Sequence, residues 1–120
     1  TGIEIAPKAI ASATRSAAEL ALTGVTFQAL DAAAFAKAST CAPDLLVVNP
    51  PRRGLGAALC QSVLALQPAW LMYSSCNPQS LASDLAMLSQ DYQLSKVQLF
   101  DMFPHTEHAE VLTLLQRCPL

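Results

Sequence analysis

Charge is scarce in this sequence. Only 13% of its 120 residues are Asp, Glu, Lys or Arg, and the formal net charge is -2. Such a balance gives no global attraction to nucleic acid or to anionic membranes. The only adjacent basic residues are Arg52 and Arg53. No apolar run approaches the roughly 18 to 20 residues that span a bilayer, so no membrane partner is expected. No signal-peptide pattern is visible, and the abrupt opening suggests a true N-terminus elsewhere. A CxxC pair is missing: Cys41, Cys60, Cys76 and Cys118 stand far apart. That argues against a zinc knuckle and against a secreted disulfide framework, and it fits a reduced, cytoplasmic compartment. Internal repeats and low-complexity linkers are absent too.

What is present is apolar. Hydrophobic residues make up 52% of the chain, enough to bury the core of one domain of ordinary size. Their spacing alternates between two periods. "TGIEI" reads as the end of a strand. Pro7 suits a first helical turn, and Ile10, Ala13, Ala17 and Leu20 keep helical spacing to about Leu22, where Thr23-Gly24 stops the helix. "VTFQAL" is a short strand, and Asp31 caps an alanine-rich helix to about Ala38. "DLLVV" is a continuous apolar run, as in parallel strands covered on both faces. "NPPRRGLG" is a loop, and Leu55, Leu59, Val63 and Leu66 define the next helix. "AWLMYSS" is a buried strand, followed by a helix through Leu81, Leu85 and Leu88. "YQLSKVQLFDMF" and "EVLTLLQR" read as an antiparallel pair joined by "PHTEHA". The order β-α-β-α-β-α-β-α-β-β predicts an α/β fold: a mostly parallel, doubly wound sheet with helices on both faces. The closing hairpin is the mark of the Rossmann-like class I methyltransferase variant.

Ligands of such sheets bind beyond the carboxyl ends of the strands. Glu4, Asp31, Asn49 and Cys76 follow four successive strands, and Glu110 precedes the last. Glu4 is placed to accept hydrogen bonds from a ribose diol, or to serve as an acid beside Pro7 at a helix start. Asp31 is a helix cap or a contact to an adenine amino group. In "NPPRR" two prolines stiffen the backbone after Asn49, whose amide can meet a base edge or simply cap a turn. An aromatic residue after the prolines would suit methylation of an exocyclic amine. Arg52 stands there instead, and it or Arg53 can pair with RNA phosphate or lie solvated in a loop. Cys76 sits between a buried strand and Asn77-Pro78, which opens a helix. Thiols at helix N-termini gain thiolate character, and strand-to-helix turns expose nucleophiles. A lone cysteine is otherwise a small core residue, as expected for Cys41, Cys60 and Cys118. His105, Glu107 and His108 offer too few ligands for a metal, and none is expected. Glu110 is placed to act as a general base, or to be a rim carboxylate.

Three segments, "VVNPPRRGLG", "YSSCNPQSLASDL" and "LFDMFPHTEHAEVLTLL", resemble the S-adenosylmethionine-dependent RNA uracil-5-methyltransferases. The resemblance runs over essentially the whole chain and is nearest to the branch that methylates a uridine in 23S ribosomal RNA. It implies Cys76 as nucleophile, Glu110 as proton-abstracting base, Glu4 as the cofactor-binding acid, and Asn49 at the cofactor-binding position near the target base. It also implies a first strand with a glycine-rich loop and an RNA-binding region upstream of Thr1, with an iron–sulfur cluster possible only there. The chain is therefore expected to be the C-terminal part of a catalytic domain, over residues 1–120. Its sheet should show a gap between the strands ending at Glu4 and Asn49, unless rearrangement, swapping or another chain fills it. Little activity is expected of the piece alone. Two competing expectations are methylation of another position, such as a tRNA uridine, and an inactive binding module of the same fold.

Overall fold

A computed structural model describes residues 1–119 of the protein. The chain forms two compact units, one over residues 1–39 and one from residue 40 onward.

In the first unit, β1 (Gly2–Glu4) leads into α1 (Pro7–Glu19), and β2 (Phe27–Ala29) leads into α2 (Ala32–Ala38). β1 and β2 pair in parallel, with Gly2 beside Phe27 and Glu4 beside Ala29. Pro7 starts α1 as expected, but the helix ends at Glu19 rather than near Leu22. Leu20 caps it, and Ala21 takes a positive φ of 53° that turns the chain before Gly24 is reached. Ala17 is the one buried hydrophobic residue of this unit, while Leu20 and Leu22 are exposed.

The second unit contains β3 (Leu45–Val48), α3 (Gly56–Leu66), β4 (Trp70–Ser75), α4 (Pro78–Leu88), β5 (Tyr92–Phe100) and β6 (Glu110–Arg117). The element order matches the one read from the sequence. Its sheet runs β3-β4-β6-β5. β3 and β4 are parallel, and β6 lies antiparallel between β4 and β5. In the first unit β1 pairs with β2, and in the second β3 pairs with β4.

Cys60, Val63 and Leu64 of α3 and Leu81 and Leu88 of α4 join Leu71, Tyr73, Val111 and Leu115 of the strands in one core. Both helices thus cover the same face of this sheet. β4 and β6 bury every second residue, Leu71-Tyr73-Ser75 and Val111-Thr113-Leu115, because strand side chains alternate between faces. β3 departs from the expectation of burial on both faces. Leu46 and Val48 pack on the core, but Leu45 and Val47 are exposed, since α3 and α4 lie on the other side. The buried stripe of α3 also shifts: Cys60 and Leu64 face the core, while Leu55 precedes the helix as its N-cap.

Candidate active site

The first unit holds the two acidic candidates at the carboxyl ends of its strands. Glu4 closes β1 and is exposed. One carboxylate oxygen accepts the Ala6 backbone N–H at 3.1 Å. Among the described residues the other oxygen meets no protein donor, so the side chain is both held in place and able to accept further hydrogen bonds. Asp31 does what its capping pattern predicts. Its Oδ1 accepts from the N–H groups of Ala33 at 2.9 Å and Ala34 at 3.1 Å and starts α2. That bonding gives the cap reading a direct structural basis.

The second unit gathers the remaining candidates at one end of its sheet. Asn49 directly follows β3, and Cys76 directly follows β4, which runs parallel to it. Glu110 opens the antiparallel β6, so it starts where β4 ends. The register brings these positions close: Ser75 is paired with Val111, which places Cys76 and Glu110 at the next step of the same strand pair. Cys76 and Glu110 are both half-buried, and Asn49 is exposed. Ser74 Oγ donates to Glu110 Oε1 at 2.6 Å.

The turn that carries Cys76 is bonded on every side. Asn77 caps α4 by accepting from the Gln79 N–H at 3.2 Å. Ser75 Oγ accepts the Asn77 N–H at 3.0 Å and lies 3.0 Å from the Asn77 carbonyl, to which it donates. The loop after β3 is tied to this turn through Arg52. Its carbonyl accepts from Asn77 Nδ2 at 2.9 Å and Ser80 Oγ at 2.8 Å. Its guanidinium reaches the Cys76 carbonyl at 3.5 Å and His108 Nδ1 at 3.2 Å. Arg52 is therefore a clamp between the Cys76 turn and the His108 loop. It remains exposed, with only Nη1 engaged among the described residues. Arg53 is exposed as well. His108 also stacks edge-on against Phe103, with ring centroids 6.5 Å apart.

Asp84 lies on α4, away from the strand ends. It is 2% exposed, yet its carboxylate accepts three hydrogen bonds: from Tyr73 Oη at 2.6 Å, the Leu55 N–H at 2.7 Å and the Gly56 N–H at 3.1 Å. It thereby fastens the end of the Asn49–Gly56 loop and the start of α3 to α4. Gly54 has φ +78°, and a Cβ there would lie 2.6 Å from Asp84 Oδ2, so only glycine fits both the turn and the approach. Burial, with Asp84 adding to it, pushes the Cys60 thiol up to about 12 and makes it inert at neutral pH. The same two causes raise the Tyr73 phenol. A signal for Asp84 was present: positions 81, 84 and 88 share one helix face, and an acid on a leucine stripe calls for a partner. The Ser74 contact had no such signal, because it depends on strand register.

No three His, Cys, Asp or Glu side chains come together to hold a metal among the described residues. All four cysteines are free. No described helix is long and apolar enough to cross a membrane.

Comparisons with known proteins place this arrangement. The chain is 59% identical over 117 residues to the 23S rRNA (uracil(747)-C(5))-methyltransferase RlmC of Edwardsiella ictaluri, and 57% identical to that of Vibrio cholerae. These alignments cover 98% of this chain but 31% of each relative, so the chain spans about a third of their length. The crystal structure of the Pyrococcus abyssi tRNA (uracil-54, C5)-methyltransferase with S-adenosyl-L-homocysteine superposes with a TM-score of 0.80 at 32% identity, over 95% of this chain and 28% of that one. The N-methyltransferase NodS of Bradyrhizobium japonicum superposes with a TM-score of 0.76 at 14% identity, over 98% of this chain and 65% of that one, a likeness of fold alone. The architecture is that of the class I methyltransferases. A family profile described as tRNA (Uracil-5-)-methyltransferase matches residues 16–118, and the chain belongs to that family.

Proposed function

We propose that this chain is the C-terminal part of the catalytic domain of an S-adenosylmethionine-dependent enzyme that methylates C5 of a uridine in 23S ribosomal RNA, in the cytoplasm. The observation that carries the proposal is the position of Cys76 and Glu110 at the adjoining ends of β4 and β6, with Cys76 at the turn that opens α4. A nucleophile and a base are the two groups that substitution at C5 of uracil requires from a protein. The choice of ribosomal RNA rests on relatives whose name specifies uracil 747 of 23S rRNA.

C5 of uracil is a poor nucleophile by itself. Bond formation between the Cys76 thiolate and C6 moves the ring's π electrons onto C5. When bound, S-adenosylmethionine supplies an electrophilic methyl group for that carbon. Glu110 then takes the C5 proton, the C5–C6 double bond re-forms, and Cys76 leaves as thiolate. C6 is shielded in a stacked helix, so the uridine must be flipped or single-stranded. Glu4, whose exposed carboxylate has one oxygen without a protein donor among the described residues, is assigned to the ribose hydroxyls of the cofactor. Asn49 is assigned the position between cofactor and base, Arg52 a backbone phosphate of the RNA, and Asp31 a second, weaker place beside the adenine. The 120-residue chain alone is expected to turn over little substrate.

The test uses the full-length protein and RNA carrying 5-fluorouridine at the target. Fluorine cannot be removed as a proton is, so the Cys76 adduct should persist and migrate as a protein–RNA band. Cys76→Ala should yield neither band nor methylated RNA. Retained methylation by Cys76→Ala would overturn the assignment.

A further inference from the structure

We infer that Ser74 is a positioning residue for the proton-abstracting carboxylate of Glu110, a role that deepens the proposed function and rests on Glu110 being the base. Three observations converge. Ser74 Oγ donates to Glu110 Oε1 at 2.6 Å, within the short range of hydroxyl–carboxylate bonds. Both residues are half-buried, so water competes less for the carboxylate than at an open surface. The bond also crosses a fixed strand register: Ser74 pairs with Leu112, two residues from Glu110, and the two side chains are therefore diagonal neighbours on one face. That face is opposite to the one where Tyr73 and Ser75 enter the core, so the core fixes the direction of Ser74 through its two neighbours.

The consequence is a choice of oxygen. Oε1 is taken by Ser74, and Oε2 has no protein partner among the described residues. Oε2 is then the atom that collects the C5 proton, and Ser74 keeps it from rotating away. In the proton transfer the C5–H bond breaks and an O–H bond forms on Oε2. The C–H electron pair becomes the new C5–C6 π bond, and the C6–S pair returns to Cys76. Ser74 keeps its own proton throughout.

The experiment is a comparison of Ser74→Ala, Ser74→Thr and the parent in the full-length protein. Two readouts separate the step from the site as a whole. With 5-fluorouridine RNA, adduct formation needs no C5 proton removal, so Ser74→Ala should form the band at the parental rate. With ordinary RNA, multiple turnover should fall about tenfold and covalent protein–RNA complex should accumulate. Ser74→Thr keeps the hydroxyl and should restore turnover. Equal loss of adduct formation and turnover in Ser74→Ala, or unchanged turnover with no accumulated complex, would overturn the inference. Failure of the parent itself to form an adduct would instead overturn the proposed function.

Discussion

Asp84 and Cys60 show how much of this molecule is decided by single side chains. Removing the Asp84 carboxylate leaves the Tyr73 hydroxyl and the Leu55 and Gly56 N–H groups without their acceptor. Asp84→Ala is therefore expected to cost about 3 kcal/mol, read as a lower urea midpoint, and to loosen the Asn49–Gly56 loop as well. Cys60 is wholly buried, whereas Cys41 is exposed and Cys76 is half-buried. A thiol-alkylating reagent should label Cys41 and Cys76 in the native protein and reach Cys60 only after denaturation, as peptide mass mapping would show. Labelling of native Cys60 at the rate of Cys41 would contradict the packing of α3 described above.

At the scale of elements, caps and turns control where helices begin. Asp31 supplies two hydrogen bonds to a helix of only seven residues, so Asp31→Ala should fray α2 and cost about 1 kcal/mol. Methyl resonances of Ala33 and Ala34 would report it. Helices and strands were legible in the sequence because each is signalled by its own residues: Pro7 opens α1, Asp31 and Asn77 cap α2 and α4, and apolar runs mark β3 and β4. The face of β3 was not legible. An apolar run looks the same whether one side or both are covered, and Leu45 and Val47 are exposed. The site followed the same division. Cys76 and Glu110 were visible from their places at strand ends. The clamp by Arg52 and the donor at Ser74 were not, because each joins residues 24 or more positions apart; for Asp84 the helix face signalled a buried acid but not its loop partners Leu55 and Gly56.

For the whole molecule, burial of titratable groups sets the response to alkali. The Cys60 thiol is raised from 9.0 to about 12 by burial first and by Asp84 second. The Tyr92 phenol is raised from 10.0 to about 12, again chiefly by burial; Asp91 adds to the rise and Arg117 opposes it. Both groups hold their protons more tightly when folded. Their contribution to stability is complete below the unfolded values near 9 and 10, and is lost as pH rises toward 12. Urea midpoints should thus stay level to about pH 9 and then fall, and Cys60→Ala should flatten the first part of that fall. The first unit makes a separate prediction. With Ala17 its one buried hydrophobic residue, a peptide of residues 1–39 should lack a core and show little helix by circular dichroism.

The long reach of the site's bonds has a consequence for how the chain acquires its shape. Arg52 meets His108 across 56 residues, and Ser74 meets Glu110 across 36. Closing such loops costs entropy before any contact repays it, whereas the turns of α3 and α4 close locally. The clamp of Arg52 on the His108 loop should be the last part to assemble, after β4 and β6 have zipped together. Substitutions at Leu71 or Leu115 should slow folding, while substitutions at Arg52 should leave folding alone and speed unfolding. A newly made chain would pass through an interval in which its core is built and its nucleophile is still unguarded.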